Sequence, residues 1–284
     1  MEELIKIIKE NTNLKNPIIL NKLYGGMSNN NYLFKNNNIL YTIRIPGKDS
    51  EKFVNRKIEE DVLNKIKELD LNNETIYYDY KSGIRIAKYI KGETLVNLNI
   101  LDHLNEVCEL LKKIHNSNIK LTNDYDKINR LNKYELYINN QEKEYYEYKK
   151  EYLKIFDKFK NIEKKVTHGD LQPSNIIYSD NNKIHVLDWE FTSLNDPYYD
   201  ISCFGNNDFK YALLLLELYL NRKPNNEDLK RLLENRIYQC LQWYNVALYK
   251  DKINLSKDLN LNFLEISKYY LNLCKHFLEE YNKL

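Results

Sequence analysis

The sequence predicts an α+β fold in two lobes. A small N-terminal antiparallel sheet with one helix covers residues 1–90, and a larger, mostly helical part covers residues 91–284. Five short strand-like runs fall before residue 90, and helical periodicity dominates from about residue 95. Between these helices a strand-and-loop island at 166–190 carries His168-Gly169-Asp170, Asn175 and, after a second apolar run, Asp188.

Residues 1–10 read as a short amphipathic helix. Ile18 to Tyr24, Asn31 to Phe34 and Ile39 to Ile45 are strand candidates rich in Ile, Leu and Tyr. Gly25-Gly26 breaks the first from the second, Asn36-Asn37-Asn38 turns the second into the third, and Pro46-Gly47 ends the third. Glu51 to Leu69 has helical spacing through Phe53, Ile58, Val62, Leu63 and Ile66. Thr75 to Tyr80 and Ile84 to Ala87 form a hairpin turned at Lys81-Ser82-Gly83, and Tyr89 to Glu93 reads as a linker. Helices are expected over Leu101 to His115 and, as one long Tyr-rich helix without Pro or Gly, over Tyr134 to Phe159. Three more follow at about 208–221, 227–250 and 262–283.

The bulk numbers narrow the classes. A net charge of +2 gives no basis for nucleic-acid binding. The longest apolar run, Ala212 to Leu216, is too short to enter a bilayer as a span. Cys108, Cys203, Cys240 and Cys274 form no CxxC pair, which suits buried free thiols in a reducing compartment. MEELIKIIKE is charged and helix-patterned, unlike a secretory signal. The expected location is the cytoplasm.

The island carries the chemistry. A base-type Asp, an amide five residues on and a second Asp after a strand is how kinase-fold enzymes hold a nucleophile and Mg²⁺ beside ATP. Asp170 is the candidate base that orients an acceptor hydroxyl and receives its proton. Asn175 and Asp188 offer the hard oxygens that suit Mg²⁺, and His168 braces the loop. Gly25, Gly26, Ser28, Asn29 and Asn30 lie between the first two strands, where backbone N–H groups can cover phosphates. Arg44, in YTIRIPG, occupies the strand position of a phosphate-binding cation, with Glu59 as its ion-pair partner and Glu60 as the alternative. Whether Arg44 faces inward or outward is open from spacing alone. Lys88, Tyr89 and Ile90 are placed as the hinge whose backbone meets adenine.

HGDLQPSN, LDWEF and NDPYYD together resemble the choline/ethanolamine kinase branch of the aminoglycoside-phosphotransferase-like enzymes, within the protein-kinase-like superfamily. LYGGMSNNNYLF, YTIRIPG, VNR followed by Glu59, and IAKYIKGETL are similar to bacterial choline kinases of the LicA type. The resemblance covers roughly residues 18–250. It implies a two-lobed kinase-like fold, ATP and Mg²⁺, and transfer of the γ-phosphate to an amino-alcohol hydroxyl. It makes Asp170 the base and Asn175 and Asp188 the Mg²⁺ ligands. Gln172, Glu190 and Phe191 fall on the acceptor side, where Glu190 also orders the metal loop, and Asp200 braces the fold.

Choline recognition needs aromatic faces, because a trimethylammonium has no N–H to donate. Trp243 matches the first Trp of a family Trp-x-x-Trp pattern, whereas the second falls on Val246. Tyr244, Tyr198, Tyr199, Tyr269 and Tyr270 are the other candidate walls. The first expectation is therefore a choline kinase with a small amino-alcohol substrate, no nucleic-acid partner and no membrane insertion. Ethanolamine, thiamine and aminoglycosides are alternative acceptors. A non-catalytic nucleotide-binding module would have lost Asp170, Asn175 or Asp188, and all three are present.

Overall fold

Strand-forming runs separated by Asn- and Gly-containing turns build the N-terminal part as the composition predicts. The computed structural model describes residues 1–24, 29–259 and 261–284. Helix α1 (Glu2–Asn11) precedes strands β1 (Pro17–Leu23), β2 (Asn29–Asn36) and β3 (Ile39–Pro46). Helix α2 (Arg56–Lys65) follows, then β4 (Thr75–Tyr78), β5 (Arg85–Lys88) and β6 (Gly92–Thr94). Helices α3 (Leu104–His115), α4 (Lys127–Tyr137) and α5 (Lys143–Phe159) lead to β7 (Lys165–Thr167), β8 (Ile176–Ser179), β9 (Ile184–Val186) and β10 (Ser193–Asn195). The chain then runs through α6 (Tyr198–Phe204), α7 (Phe209–Leu220), α8 (Asn226–Lys252), α9 (Leu255–Leu259) and α10 (Phe263–Lys283). This is an α+β chain with an antiparallel N-terminal sheet and a helical C-terminal part.

Two compact units share this chain. The first is Met1–Leu121 with His168–Thr192, and the second is Thr122–Thr167 with Ser193–Leu284. In the first unit five strands pair antiparallel in the order β1-β2-β3-β5-β4. Asn37 takes a left-handed conformation (φ 55°), which Asn tolerates, and closes the β2–β3 hairpin. A second sheet, β6-β8-β9, brings the 176–186 hairpin beside residues 92–94. The stretch expected as a linker thus contributes a short strand.

Alternation on β3 decides where the apolar core of the first unit lies. Tyr41 and Ile43 join Ile8, Phe34 and Ile86 in a buried cluster under α1, and Ile43 pairs with both Tyr32 and Ile86. Phe34 and Tyr41, directly opposite in register, stack at 5.3 Å between ring centroids. The period of two sends Thr42 and Arg44 to the other face of the sheet.

The second unit is built around α8, which packs against α10, α6, α4 and α5. Its N-terminus is closed by a capping box of Asn225 and Asp228. The helix is buried over most of its length although it reads as polar. Glu234 and Asn235 meet Lys127 at 2.7–3.0 Å, Gln239 meets Ser202, and Gln242 accepts from Tyr125. The long helix expected over Tyr134 to Phe159 is two helices. Ile138 leaves α4 in an extended conformation and is buried, and weak helix formers Asn139 and Asn140 follow. The Glu142 N–H then donates to the Tyr244 hydroxyl at 2.8 Å, which fixes the start of α5.

Ile43 is fully buried in the cluster that sets the β3 register. Ile43→Ala is expected to cost about 2–5 kcal/mol, as buried Ile truncations do. Urea unfolding followed by circular dichroism should show the loss as a lowered midpoint.

Candidate active site

The polar face of the sheet carries a row of opposed residues, Asn31, Arg44, Arg85 and Tyr78, across β2, β3, β5 and β4. Arg44 is inward-facing and only 7% exposed. Its Nη2 donates to Glu59 Oε1 in a very short contact, and its Nη1 lies 3.4 Å from Asp188 Oδ1 and 3.5 Å from Glu190 Oε2. Asn55 caps α2 by accepting from the Ile58 N–H, so Glu59 emerges from the first helical turn. Glu59 is 1% exposed and also accepts from Arg56 Nη1 at 2.9 Å and from the Tyr78 hydroxyl at 2.6 Å. Glu60, the alternative partner, is not in this group.

Burial opposes ionisation of Glu59, but Arg44, Tyr78 and Arg56 outweigh it and hold the carboxyl below its ordinary value. Burial likewise opposes the Arg44 charge, and Glu59, Glu190 and Asp188 together drive its pKa upward. Glu190 is the strained member. Burial first, then Asp188, pushes its carboxyl up to about 8 against the pull of Arg44 and Arg56.

The catalytic segment is held by backbone geometry. Gly169 has φ +82°, and a Cβ there would sit 2.4 Å from the Phe191 carbonyl oxygen, so only glycine fits. His168 is buried against Trp189. The Asp170 N–H can only donate, so His168 Nδ1, 3.2 Å away, accepts and the ring proton sits on Nε2, which donates to the Leu187 carbonyl at 2.9 Å. Asp170 Oδ1 accepts from Gln172 Nε2 at 2.7 Å, and Oδ2 accepts from Asn175 Nδ2 at 2.9 Å. Asn175 Nδ2 gives its other proton to the Asp170 carbonyl at 2.8 Å. The Leu187 N–H returns to the Asn175 carbonyl at 2.8 Å, tying the Asp170 loop to the segment before Asp188. Asp188 itself is left-handed (φ 65°), a conformation Asp tolerates better than most side chains.

Among the described residues no cluster of three or more His, Cys, Asp or Glu could hold a metal unaided. The fit to Mg²⁺ rests on donor chemistry. Both protons of the Asn175 amide are committed to Asp170, and its remaining oxygen is the hard donor. The Asp188 carboxylate is 35% exposed, while those of Glu59 and Glu190 are sealed. Two oxygen donors suit an ion that fills its shell with phosphate oxygens and water. On the anion side, the buried Arg44 Nε–H has no partner among the described residues, and neither has Asn29 Oδ1.

Of the phosphate-loop candidates, Gly25, Gly26 and Ser28 lie outside the described residues. Asn29 opens β2 and donates to Glu190 at 3.5 Å, and Asn30 is the second residue of the same strand. In the hinge, the Tyr89 N–H is used by the Leu40 carbonyl and the Lys88 N–H by Glu74. The Lys88 carbonyl accepts from Asn73, and its ammonium pairs with Glu74 at 2.6 Å. The first unit thus brings together Asn29, Arg44, Glu59, Asp188 and Glu190 in one group and Asp170, Gln172 and Asn175 in another. Phe191 meets Gly169 through its backbone.

In the second unit Trp243 is half-buried and stacks on Tyr270 at 6.0 Å, and Tyr269 meets Tyr270 edge-on. Tyr244 is fully buried against Tyr145. Tyr198 is occupied by Arg231 and Asp228, and Tyr199 by Tyr125 and Gln242. Those three are packing residues.

Sequence reasoning missed Arg56, Tyr78 and Arg85. Arg56 had a signal, standing in VNR one turn before Glu59. Tyr78 and Arg85 had only their place on short strands.

Because folding lowers the Glu59 pKa, its stabilisation is complete above the unfolded value, near the ordinary 4.5, and is lost as pH falls through the folded value. Glu59→Gln should lower stability at pH 7 by about 3–5 kcal/mol, since it leaves a buried cation short of its partner. It should also flatten the fall in stability below about pH 4.5. Chemical denaturation across pH 3–7 measures both effects.

Comparison with known proteins places this geometry. The sequence model of the choline/ethanolamine kinase family matches residues 20–278. Protein LicA of Haemophilus influenzae is 27% identical over 238 residues, covering 78% of this chain and 70% of that protein. The crystal structure of choline kinase LicA from Streptococcus pneumoniae superposes with a TM-score of 0.80 at 24% identity, over 98% of this chain and 97% of that one. A choline/ethanolamine kinase family protein from Mesorhizobium loti gives 0.75 at 18% identity, over 94% and 90%. At these identities the structural likenesses speak for the fold, and the family match spans nearly the whole sequence. The chain belongs to the choline/ethanolamine kinase family, phosphotransferases with an alcohol group as acceptor.

Proposed function

We propose that the protein is a choline kinase, transferring the γ-phosphate of ATP to the choline hydroxyl to give phosphocholine and ADP, with Mg²⁺ as the metal. The observation that carries the reading is the Asp170–Asn175 pair. Asn175 donates twice to Asp170, and Gln172 holds the other carboxylate oxygen, so the base is fixed before any acceptor arrives. Residues 1–90 are assigned to the nucleotide and residues 91–284 to catalysis and the acceptor.

In this mechanism Asp170 accepts a hydrogen bond from the acceptor hydroxyl and takes its proton late in a direct in-line transfer. Asn175 and Asp188 hold Mg²⁺, which when bound neutralises charge on the phosphate oxygens. Arg44 offers its unpaired Nε–H to phosphate while Glu59 fixes the plane of its guanidinium. The 25–30 segment, whose Asn29 and Asn30 belong to β2, is assigned to the phosphates. With the Lys88 and Tyr89 N–H groups already used, the Tyr89 carbonyl and the Ile90 N–H are the hinge groups assigned to adenine. No phosphoenzyme is required.

Trp243 supports an acceptor bearing a quaternary ammonium. Its stacking on Tyr270 gives a two-ring face in which Tyr270 supplies the second ring that Val246 does not. Within the first unit, Gln172, Glu190 and Phe191 are assigned to the acceptor, Glu190 through its contacts with Arg44 and Asn29.

ADP release measured with choline, ethanolamine, thiamine and kanamycin tests the assignment. Choline should be turned over best, and equal inactivity on choline and ethanolamine would overturn the reading. Asp170→Ala should lower turnover by about 10²–10⁴-fold, the usual contribution of a general base, while leaving ATP binding intact. Near-normal turnover in that variant sinks the base assignment.

A further inference from the structure

Arg85 is a buried cation that neither the fold nor the catalytic roles above account for. It is 7% exposed and stands directly opposite Arg44 in the β3–β5 register, with Tyr78 on its other side. Directly opposed residues of antiparallel strands share a face, and like charges there repel. A packing role would be served by an apolar residue, as it is one position on by Ile86.

Every partner of Arg85 is neutral. Its Nε donates to Thr75 Oγ1 at 3.0 Å, and its Nη2 donates to Asn73 Oδ1 at 2.7 Å and to the Asn73 carbonyl at 3.2 Å. Among the described residues no carboxylate lies within ion-pair distance of it. Arg44 and Arg56, by contrast, both touch Glu59. Burial first, then Arg44, pulls the Arg85 pKa down to about 10, which still leaves it a cation at neutral pH. Glu59 and Asp188 act on it through space with the opposite sign. The group therefore contains three buried arginines, 44, 56 and 85, two buried carboxyls, 59 and 190, and the partly exposed Asp188. Among the described residues Arg85 is the one of these arginines that touches no carboxylate.

We propose that Arg85 is a positioning residue for the nucleotide, an intentionally unpaired cation behind Arg44 whose field adds to the attraction for the triphosphate and presses the Arg44 fork away from the sheet. Neutral acceptors hold the guanidinium in place without cancelling its charge. The effect is felt by the anionic Mg·ATP donor and hardly by the acceptor alcohol. This rests on the kinase reading of the same site and adds a residue to its nucleotide side.

The test separates field from scaffold. Binding of Mg·ATP, without any acceptor, is measured calorimetrically for wild type, Arg85→Lys, Arg85→Met, Asn73→Asp and Asn73→Leu, alongside thermal melts and steady-state kinetics. Arg85→Met should weaken Mg·ATP about tenfold, the order expected for one unit charge acting across a protein interior. KM for the acceptor should stay within about twofold, and Arg85→Lys should recover most of the affinity. Asn73→Asp keeps Arg85 and hands it a carboxylate but also removes the Asn73 Nδ2 donor to the Lys88 carbonyl. Asn73→Leu, which loses that donor without adding charge, is therefore its control, and Mg·ATP should weaken further in Asn73→Asp than in Asn73→Leu. Lowered melting temperature with unchanged Mg·ATP affinity in Arg85→Met and Asn73→Asp would reduce Arg85 to a brace and overturn the proposal. So would equal weakening in Arg85→Lys and Arg85→Met. If Arg85→Met does not fold, Asn73→Asp against Asn73→Leu decides, and equal Mg·ATP affinity in those two would overturn the proposal. Because the binding arm needs no acceptor, inactivity of the wild type on choline would strike the choline reading and leave this one standing or falling by itself.

Discussion

Taking a guanidinium and the Glu59 and Glu190 carboxyls out of water costs several kcal/mol for each ion, and only mutual contact offsets it. That constraint organises the first unit around Arg44. Glu59 must leave the first turn of α2 at the right angle, which the Asn55 cap provides. Tyr78 must reach across from β4 to the second Glu59 oxygen, and Arg56 must share it. Asp188 and Glu190 approach from the metal loop on the remaining side. A helix, a strand and a loop are thus placed by one charge. Each is a long way from Arg44 in sequence except α2.

The Asp170 loop works on a different principle. Its geometry comes from neutral hydrogen bonds and from backbone conformations that only certain residues accept. His168 in its Nε2–H tautomer joins the Asp170 backbone to the Leu187 carbonyl, and Asn175 joins the Asp170 side chain to the Leu187 N–H. The backbones around Asp170 and before Asp188 therefore form one hydrogen-bonded circuit. Gly169 and Asp188, both left-handed, are the two corners of it. Preorganisation of this kind is where phosphoryl-transfer enzymes find most of their rate, since the chemistry asks little covalent help of the protein.

Much of this was legible because the local signals were strong. The strands of the first sheet announce themselves by Ile, Leu and Tyr runs between Asn and Gly turns, and HGDLQPSN with LDWEF carries its own spacing. Spacing could not say which face Arg44 takes. That follows from Tyr41 and Ile43 packing under α1, a tertiary fact. The 25 tyrosines were equally hard to sort. Tyr198, Tyr199 and Tyr244 look like Tyr270 in sequence, yet their hydroxyls and rings are spent inside the helical unit. The buried course of α8 was hidden because its inward residues include Glu234, Asn235, Gln239 and Gln242, each satisfied by a partner more than thirty positions away. The break between α4 and α5 failed to show because Asn139-Asn140 is a weaker stop than the Pro or Gly that usually marks one.

The first unit is discontinuous in the chain, and this bears on how it is made. Strand β6 finds its partner β8 only after the whole of Thr122–Thr167 has been synthesised. Until then the ribosome has released a five-stranded sheet with its Arg44–Glu59 pair able to form, but with the edge of residues 92–94 unpaired and Asp188 still to come. An open strand edge is a template for pairing with another chain. The nascent protein therefore passes through an interval, set by elongation speed, in which the sheet around Arg44 is largely built and the His168–Thr192 segment is absent. Slow codons translated after β6 has emerged and before β8 has emerged would lengthen that exposure, and those translated before β6 would not.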